Sequence, residues 1–375
     1  MRHRLAVHDQ PLAEGAVTVE TISIRDWVFQ EAEGRYDIDL GDSNAPCWRV
    51  GDLPDTSQVV LDYGADQGIT VLRELVAELY GCSTRAICIT HGGQEALYLL
   101  YRTLLKPGDH LITFRPGWQQ SWLVPERSGC TVTALPYGDG FRIDFAQLVA
   151  AIRPTTRAIV VNTPCNPTGK ALTAAERDML LQLARSCDLY LIVDEEYLCD
   201  FSESLVHEDS RVISVSGLSK VYGVPGLRIG WLCGDKTVVA NAMEYKHLTT
   251  ISNSVLCEHL GSMLLARRSD LLEGYKKLLR EGYVTLQRWV ASSGGQVSIV
   301  EPEGTPFCWV KLHVPESSLE FCRKVLHNTG VLTMPAELFG EKHGMRLTFV
   351  RPTAELEEGL SRIKSVLLES AGQIA

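Results

Sequence analysis

The chain has 375 residues and a formal net charge of −10, with 36 Lys and Arg set against 46 Asp and Glu. The length is that of about two domains with room for a sizeable core, and the 45% apolar and 22% charged fractions are those of an ordinary globular protein. The acidic balance argues against nucleic acid as a partner, and 11 scattered cysteines with no CxxC pair exclude a disulfide framework or a cysteine-held metal.

The start, MRHRLAVHDQPLAEG, has two early arginines but no apolar stretch of the secretory kind. No later stretch is apolar for long enough to span a membrane, so a cytoplasmic protein is expected. Residues 1–50 show only a helical pattern at IRDWVFQEA and a loop, and are expected to pack with the smaller domain. Over 51–285 short apolar runs alternate with amphipathic ones. RAICIT precedes GQEALYLLYRTLL, HLITF precedes WQQSWLVPERSG, TVTALP precedes DFAQLVAAI, and RAIVVN precedes AAERDMLLQLARSC. LYLIVD, RVISV and LRIGWLC follow. This alternation predicts an α/β fold with a mostly parallel sheet flanked by helices. Two long helices are predicted next, at 236–266 and 269–292. A smaller α+β domain over 286–375 is read from the strand-like QVSIV, FCWVKL, GVLTMP and MRLTFV and from two further helical patterns.

In open α/β sheets ligands bind outside the carboxyl ends of the strands. Five apolar runs are followed there by residues that can do chemistry. RAIVVN leads to Asn166, LYLIVD ends in Asp194 with Tyr197 beyond it, and RVISV leads to Lys220. AICIT leads to Gly92, Gly93 and Gln94 opening a helix, and HLITF leads to Trp118. Each is ordinary taken singly. An Asn-Pro pair is a turn, an aspartate caps a helix, a tryptophan fills a core, and a lysine on a glycine-rich loop faces solvent.

Together they suit pyridoxal phosphate. That cofactor needs an amine to form a Schiff base, for which Lys220 is the candidate. It needs a carboxylate against the pyridine nitrogen, for which Asp194 fits. Asn166 and Tyr197 can donate to its phenolic oxygen, and Trp118 can plate its ring. Backbone N–H groups at Gly92, Gly93 and Gln94 open a helix and suit a phosphate dianion. Ser219 and Arg228 can complete that anion site.

These motifs resemble the class I/II aminotransferases of the fold-type I pyridoxal-phosphate enzymes. The lysine stretch GLSKVYGVPGLRIGW, NPTG at 166–169, DEEY at 194–197 and YGADQGITVLR at 63–73 carry the resemblance, which runs from Tyr63 to Arg346. It implies a homodimer in which Tyr63 reaches the partner's phosphate, and an Arg346 that clamps the substrate α-carboxylate. One departure is Gly217, which stands where the family has Ser or Thr three residues before the lysine. Another is the acidic stretch YDIDLGDSNAPCW, with Asp37, Asp39 and Asp42, in place of a Gly-x-Pro segment. It reads either as a solvated turn or as a carboxylate, such as Asp42, facing a cationic substrate side chain.

The expected activity is removal of the Cα proton of an L-amino acid. The lysine motif and the IRDW…YDIDL…S opening are most similar to the capreomycidine-synthase and enduracididine-forming cyclases, which dehydrate a hydroxylated arginine and close its guanidine. Conventional transamination to a 2-oxo acid is the alternative, because fold does not settle reaction. A nucleotide- or ligand-binding module is disfavoured, since HGGQEA has neither the Rossmann nor the P-loop spacing.

Overall fold

The computed structural model describes residues 22–372. The arginine-bearing start discussed above lies outside the described residues. α1 (Ile24–Asp26), capped by Ser23, runs into a π-helical turn at Trp27–Glu31. Trp27 is buried, and its indole donates to the Thr333 carbonyl at 2.9 Å. β1 (Ile38–Asp39) and α2 (Thr70–Tyr80) come next.

The large sheet is then built in alternation: β2 (Ile87–His91), α3 (Gly92–Leu104), β3 (His110–Arg115), α4 (Gln120–Arg127), β4 (Thr131–Pro136), α5 (Phe145–Ala151), β5 (Thr156–Asn162), α6 (Ala174–Cys187), β6 (Tyr190–Asp194), β7 (Val212–Gly217) and β8 (Ile229–Cys233). The strand order is β2-β8-β7-β6-β5-β3-β4. The inner runs, such as AIVV and LIV, are apolar on both faces, as strands covered by helices on each side must be. One face packs Leu97 and Leu100 of α3 and Val239 beyond the sheet. The other packs Leu148 of α5 with Leu180 and Ala184 of α6. α6 begins with a capping box between Thr173 and Glu176.

β3, β4, β5, β6 and β7 are mutually parallel, as predicted. β8 is not: it pairs antiparallel with both β7 and β2. Only the loop 218–228 joins β7 to β8, too short for the crossover that a parallel return requires. β2 consequently runs in the same direction as β7, and the carboxyl ends of β2, β5, β6 and β7 lie along one edge. Register sets Asn162 beside Asp194, and Asp194 beside Val215.

The single helix predicted over 236–266 is two helices, α7 (Lys236–His247) and α8 (Val255–Leu265). Ile251 between them is left-handed, with φ 59°. Ser254 then caps α8 by accepting from the Cys257 N–H. A left-handed β-branched residue and a fresh N-cap cannot lie inside one helix.

α9 (Arg268–Ala291) leads to β9 (Val297–Val300), β10 (Phe307–Leu312), α10 (Ser318–Thr329), β11 (Val331–Leu332), β12 (Met334–Pro335), β13 (Met345–Thr348) and α11 (Thr353–Gly372). Strands β12, β13, β10 and β9 form an antiparallel sheet. β1 pairs in parallel with β11, which ties the early segment to this later part of the chain. No helix among the described residues is long and apolar enough to cross a membrane.

β8 passes directly under the start of α3. A Cβ on Gly230 would stand 2.4 Å from the Gly92 carbonyl carbon and 2.5 Å from the Gly93 nitrogen. Both atoms are backbone and cannot swing aside. Gly230→Ala should therefore destabilise the protein by about 1–3 kcal/mol. Gly226→Ala, at a site with nothing within 4 Å, should be close to neutral. Thermal melts of the two variants check this, and equal midpoints would sink it.

Candidate active site

Lys220 follows β7 and is half-buried, with its amine donating to Ser43 Oγ at 2.9 Å. Ser43 is 6% exposed. Burial pulls the lysine amine below its ordinary value, while Glu196 works in the opposite direction. An amine with a lowered pKa keeps a larger neutral fraction, the form that acts as a nucleophile or a base.

Asp194 closes the end of β6. Burial, and then the nearby Glu196 charge, push its carboxyl up to about 7. Its backbone carbonyl accepts from Asn162 Nδ2 at 2.8 Å and from the Thr163 N–H at 2.9 Å. Asn162 Oδ1 in turn accepts from the Asn166 N–H, which fixes the proline-bounded turn. Asn166 and Tyr197 are both buried against the cleft. The Tyr197 ring meets Phe307 edge-on at 5.1 Å, and burial raises its phenol well above the ordinary range.

α3 opens on Gly92, which is left-handed at φ 77°. A Cβ there would sit 2.5 Å from an Arg228 guanidinium nitrogen. The guanidinium is steered by donation to the Pro225 carbonyl at 2.9 Å and the His91 carbonyl at 3.4 Å. Gly93, Gln94, Ser219 and Arg228 border the same cleft, and Trp118 forms part of its wall. Gln120 Nε2 donates to the Gln94 carbonyl at 2.7 Å. Nine of the predicted residues thus share one cleft: Gly93, Gln94, Trp118, Asn166, Asp194, Tyr197, Ser219, Lys220 and Arg228.

The other predicted residues stand around it. Gly92 lies beneath Arg228. Arg346, on β13, is 3% exposed and donates to Asn166 Oδ1 at 2.7 Å and to the Gly41 carbonyl. Its guanidinium carbon is 5.2 Å from the ring centres of both Phe307 and Phe339, and its Nε has no partner among the described residues. A buried arginine with an unpaired N–H can accept an anion. Tyr63 is 82% exposed, on a loop tethered by Lys246 Nζ to the Asp66 carbonyl and by Glu258 to the Ile69 N–H.

Asp42 departs from expectation. Its carboxylate is ion-paired with Arg351, and its carbonyl accepts from Thr348 Oγ1. It therefore does not offer a free carboxylate to a substrate cation. The physical reason is that Arg351 is 6% exposed and needs a counter-charge of its own. Gly217 has a steric reason. A Cβ there would stand 2.8 Å from the Ile229 carbonyl and 3.3 Å from Glu196 Oε1. Ser216 does not replace the missing hydroxyl, because its Oγ donates to the Glu195 carbonyl.

Two polar residues that line the cleft, Asn162 and Glu196, received no assignment from the sequence, nor did Ser43, which meets Lys220. Asn162 is the last residue of the RAIVVN run and could have been found by asking what ends that strand. Glu196 stands inside the DEEY motif. Ser43 sits in the acidic loop, and only the approach of that loop to Lys220 reveals it.

The geometry fits pyridoxal phosphate on its own terms. A half-buried amine, a carboxylate able to face a ring nitrogen and a glycine cradle at a helix N-terminus converge on one cleft. Comparison with known proteins agrees. A family model described as aminotransferase class I and II matches residues 32–363. Capreomycidine synthase of Streptomyces vinaceus is 27% identical over 95% of this chain and 96% of its own. An arginine–pyruvate transaminase of Pseudomonas aeruginosa is 27% identical over 83% of this chain and 84% of its own. The crystal structure of a PLP-dependent aminotransferase from Streptococcus suis superposes with a TM-score of 0.87 at 27% identity, covering 92% of this chain and 97% of that one.

Asp194 links this site to pH. Its pKa in the fold, about 7, lies above its ordinary value of 3.8. The native state therefore holds this proton more tightly than the unfolded chain. The associated stability is fully present at acid pH and is lost as pH rises through about 7. Cofactor-free Asp194→Asn protein should lose less thermal stability than the unsubstituted protein between pH 5 and pH 8. Melting curves at the two pH values check this, and parallel shifts would overturn it.

Proposed function

The chain belongs to the class I and II aminotransferases, and from that premise we propose that it closes the guanidine of a hydroxylated L-arginine into a ring. Its cofactor is pyridoxal phosphate, which supplies an aldehyde for the substrate amine and an electron sink for Cα. The observation that carries the finer reading is extent. Similarity to capreomycidine synthase covers 95% of this chain, whereas that to an aspartate aminotransferase of Thermotoga maritima covers 81%.

In this reading Lys220 removes the Cα proton. Its lowered pKa suits a base, and Ser43 gives the freed amine a place to rest. Asp194 would keep the cofactor's ring nitrogen protonated, Asn166 and Tyr197 would donate to its phenolic oxygen, and Trp118 would plate its ring. The start of α3 at Gly92, Gly93 and Gln94 takes the phosphate with Ser219 and Arg228. Arg346 takes the substrate α-carboxylate through its unpaired N–H. Asp42 acts from behind Arg351 and contributes negative charge to the surroundings of Lys220 and Arg346. Tyr63 serves a partner copy in a homodimer. A cytoplasmic setting suits eleven unpaired cysteines.

Loss of the Cα proton followed by departure of a side-chain hydroxyl leaves an unsaturated chain that a guanidine nitrogen can attack. Transfer of the α-amino group to a 2-oxo acid is the second reading, favoured by the similarity to the arginine–pyruvate transaminase.

Product masses separate the two. Incubation with hydroxy-arginine should give loss of one water with the α-amine retained. A keto acid, with the cofactor left in its amine form, would instead establish transamination. Lys220→Ala should retain cofactor noncovalently and lose at least about 10²-fold in turnover. Full activity in that variant would remove Lys220 as the base.

A further inference from the structure

The two glutamates of DEEY point to opposite sides of the β6 end. Glu195 is structural, accepting from Ser204 Oγ at 2.7 Å, from the Leu205 N–H at 3.3 Å and from Ser214 Oγ. Glu196 faces the cleft. It is 8% exposed, and its Oε2 has no partner among the described residues. Its other oxygen lies over the start of α3. A Cβ on Gly93 would stand 2.1 Å from Oε1, and one on Gly217 would stand 3.3 Å away. Two glycines, one in the phosphate cradle and one in the lysine motif, leave the space that this carboxylate fills.

The charged and titratable groups around Glu196 come from every neighbouring element. Lys220 follows β7, Arg228 precedes β8, and Asp194 and Tyr197 flank it in the turn after β6. The α3 N-terminus adds the Gly93 N–H. That N–H and Arg228 are also the donors a phosphate dianion requires. A carboxylate and a phosphate sharing them in a half-dry cleft repel each other.

We propose that Glu196 is a proton-linked occupant of the phosphate cradle. It holds the α3 N-terminus as a carboxylate in the cofactor-free protein and takes up a proton when the cofactor's phosphate enters. Burial already raises its pKa, and only Lys220, Arg228 and the Gly93 N–H oppose that rise. Phosphate draws off two of the three. The cofactor's entry is then coupled to pH through a residue other than those proposed for its aldehyde and its ring nitrogen. This proposal rests on the pyridoxal-phosphate assignment.

The test is titration of the cofactor-free protein with pyridoxamine phosphate, which forms no covalent bond to Lys220. Calorimetry at pH 8 in buffers of different ionisation enthalpy counts the protons. The unsubstituted protein should take up about one more proton per ligand than Glu196→Gln. Its affinity should also fall by up to about tenfold per pH unit more steeply than that of the variant. Equal proton uptake in the two proteins would overturn the role of Glu196 and leave the cofactor assignment standing. Absence of any binding would overturn the assignment itself. If Glu196→Gln does not fold, the unsubstituted protein is titrated with pyridoxamine lacking the phosphate. Extra uptake that requires the phosphate supports the proposal, and equal uptake with both ligands overturns it.

Discussion

A lysine amine taken out of water must be matched by charge or by neutral partners, and the cleft is organised around that requirement. Lys220 sits among Asp194 and Glu196, with Ser43 accepting its hydrogen bond. Burial moves the amine down and the two carboxyls up, so groups that ordinarily titrate far apart are drawn toward one range. Protons in such a cluster belong to the set more than to any one member. That is a useful property in a site whose proposed work is to move a proton from carbon and return it elsewhere. The sheet topology supplies the geometry, since strands running the same way bring Asn162, Asp194 and the approach to Lys220 to one edge.

The opposite wall depends on two arginines from the later part of the chain. Arg346 lies between Phe307 and Phe339 and spends its hydrogen bonds on Asn166 and the Gly41 carbonyl. Arg351 donates to the carbonyls of Asp39 and Asn44 at 3.1 Å each and pairs with Asp42. Aromatic faces, one side-chain amide oxygen and one backbone carbonyl hold Arg346 without a carboxylate, which leaves its positive charge available to an incoming anion. Arg351 has the acid, and its task is to hold the loop that presents Ser43.

The cofactor side was legible in the sequence because its chemistry is local. A lysine three residues after a strand, a glycine pair opening a helix and an aspartate ending an apolar run each declare themselves within a few residues. What was illegible depends on contacts between distant segments. Ser43 reads as one more polar residue in an acidic loop until that loop is laid against Lys220. Asp42 reads as a free carboxylate until Arg351, more than 300 residues later, claims it. Gly217 looks like a missing hydroxyl until the Ile229 carbonyl, with Glu196 behind it, is seen to close the space. The break between α7 and α8 was hidden by apolar residues spaced evenly across it, with Ile251 giving no sign of a left-handed backbone. The reversal of β8 was readable in principle, since the loop before it cannot hold a crossover.

The pairing of β1 with β11 has a consequence for how the protein is made. The Gly41, Asp42, Asn44 and Asp39 carbonyls take their hydrogen bonds from Arg346, Thr348 and Arg351, partners 305 to 312 residues away. On the ribosome this segment emerges before its partners and has nothing to dock on until more than 300 further residues have followed. The large sheet can collapse in the meantime, because its strand partners are close in sequence by comparison. The wall that carries Arg346 is therefore the last part of the cleft to close, and a nascent chain that has already formed the strand before Lys220 still lacks the loop that Ser43 belongs to.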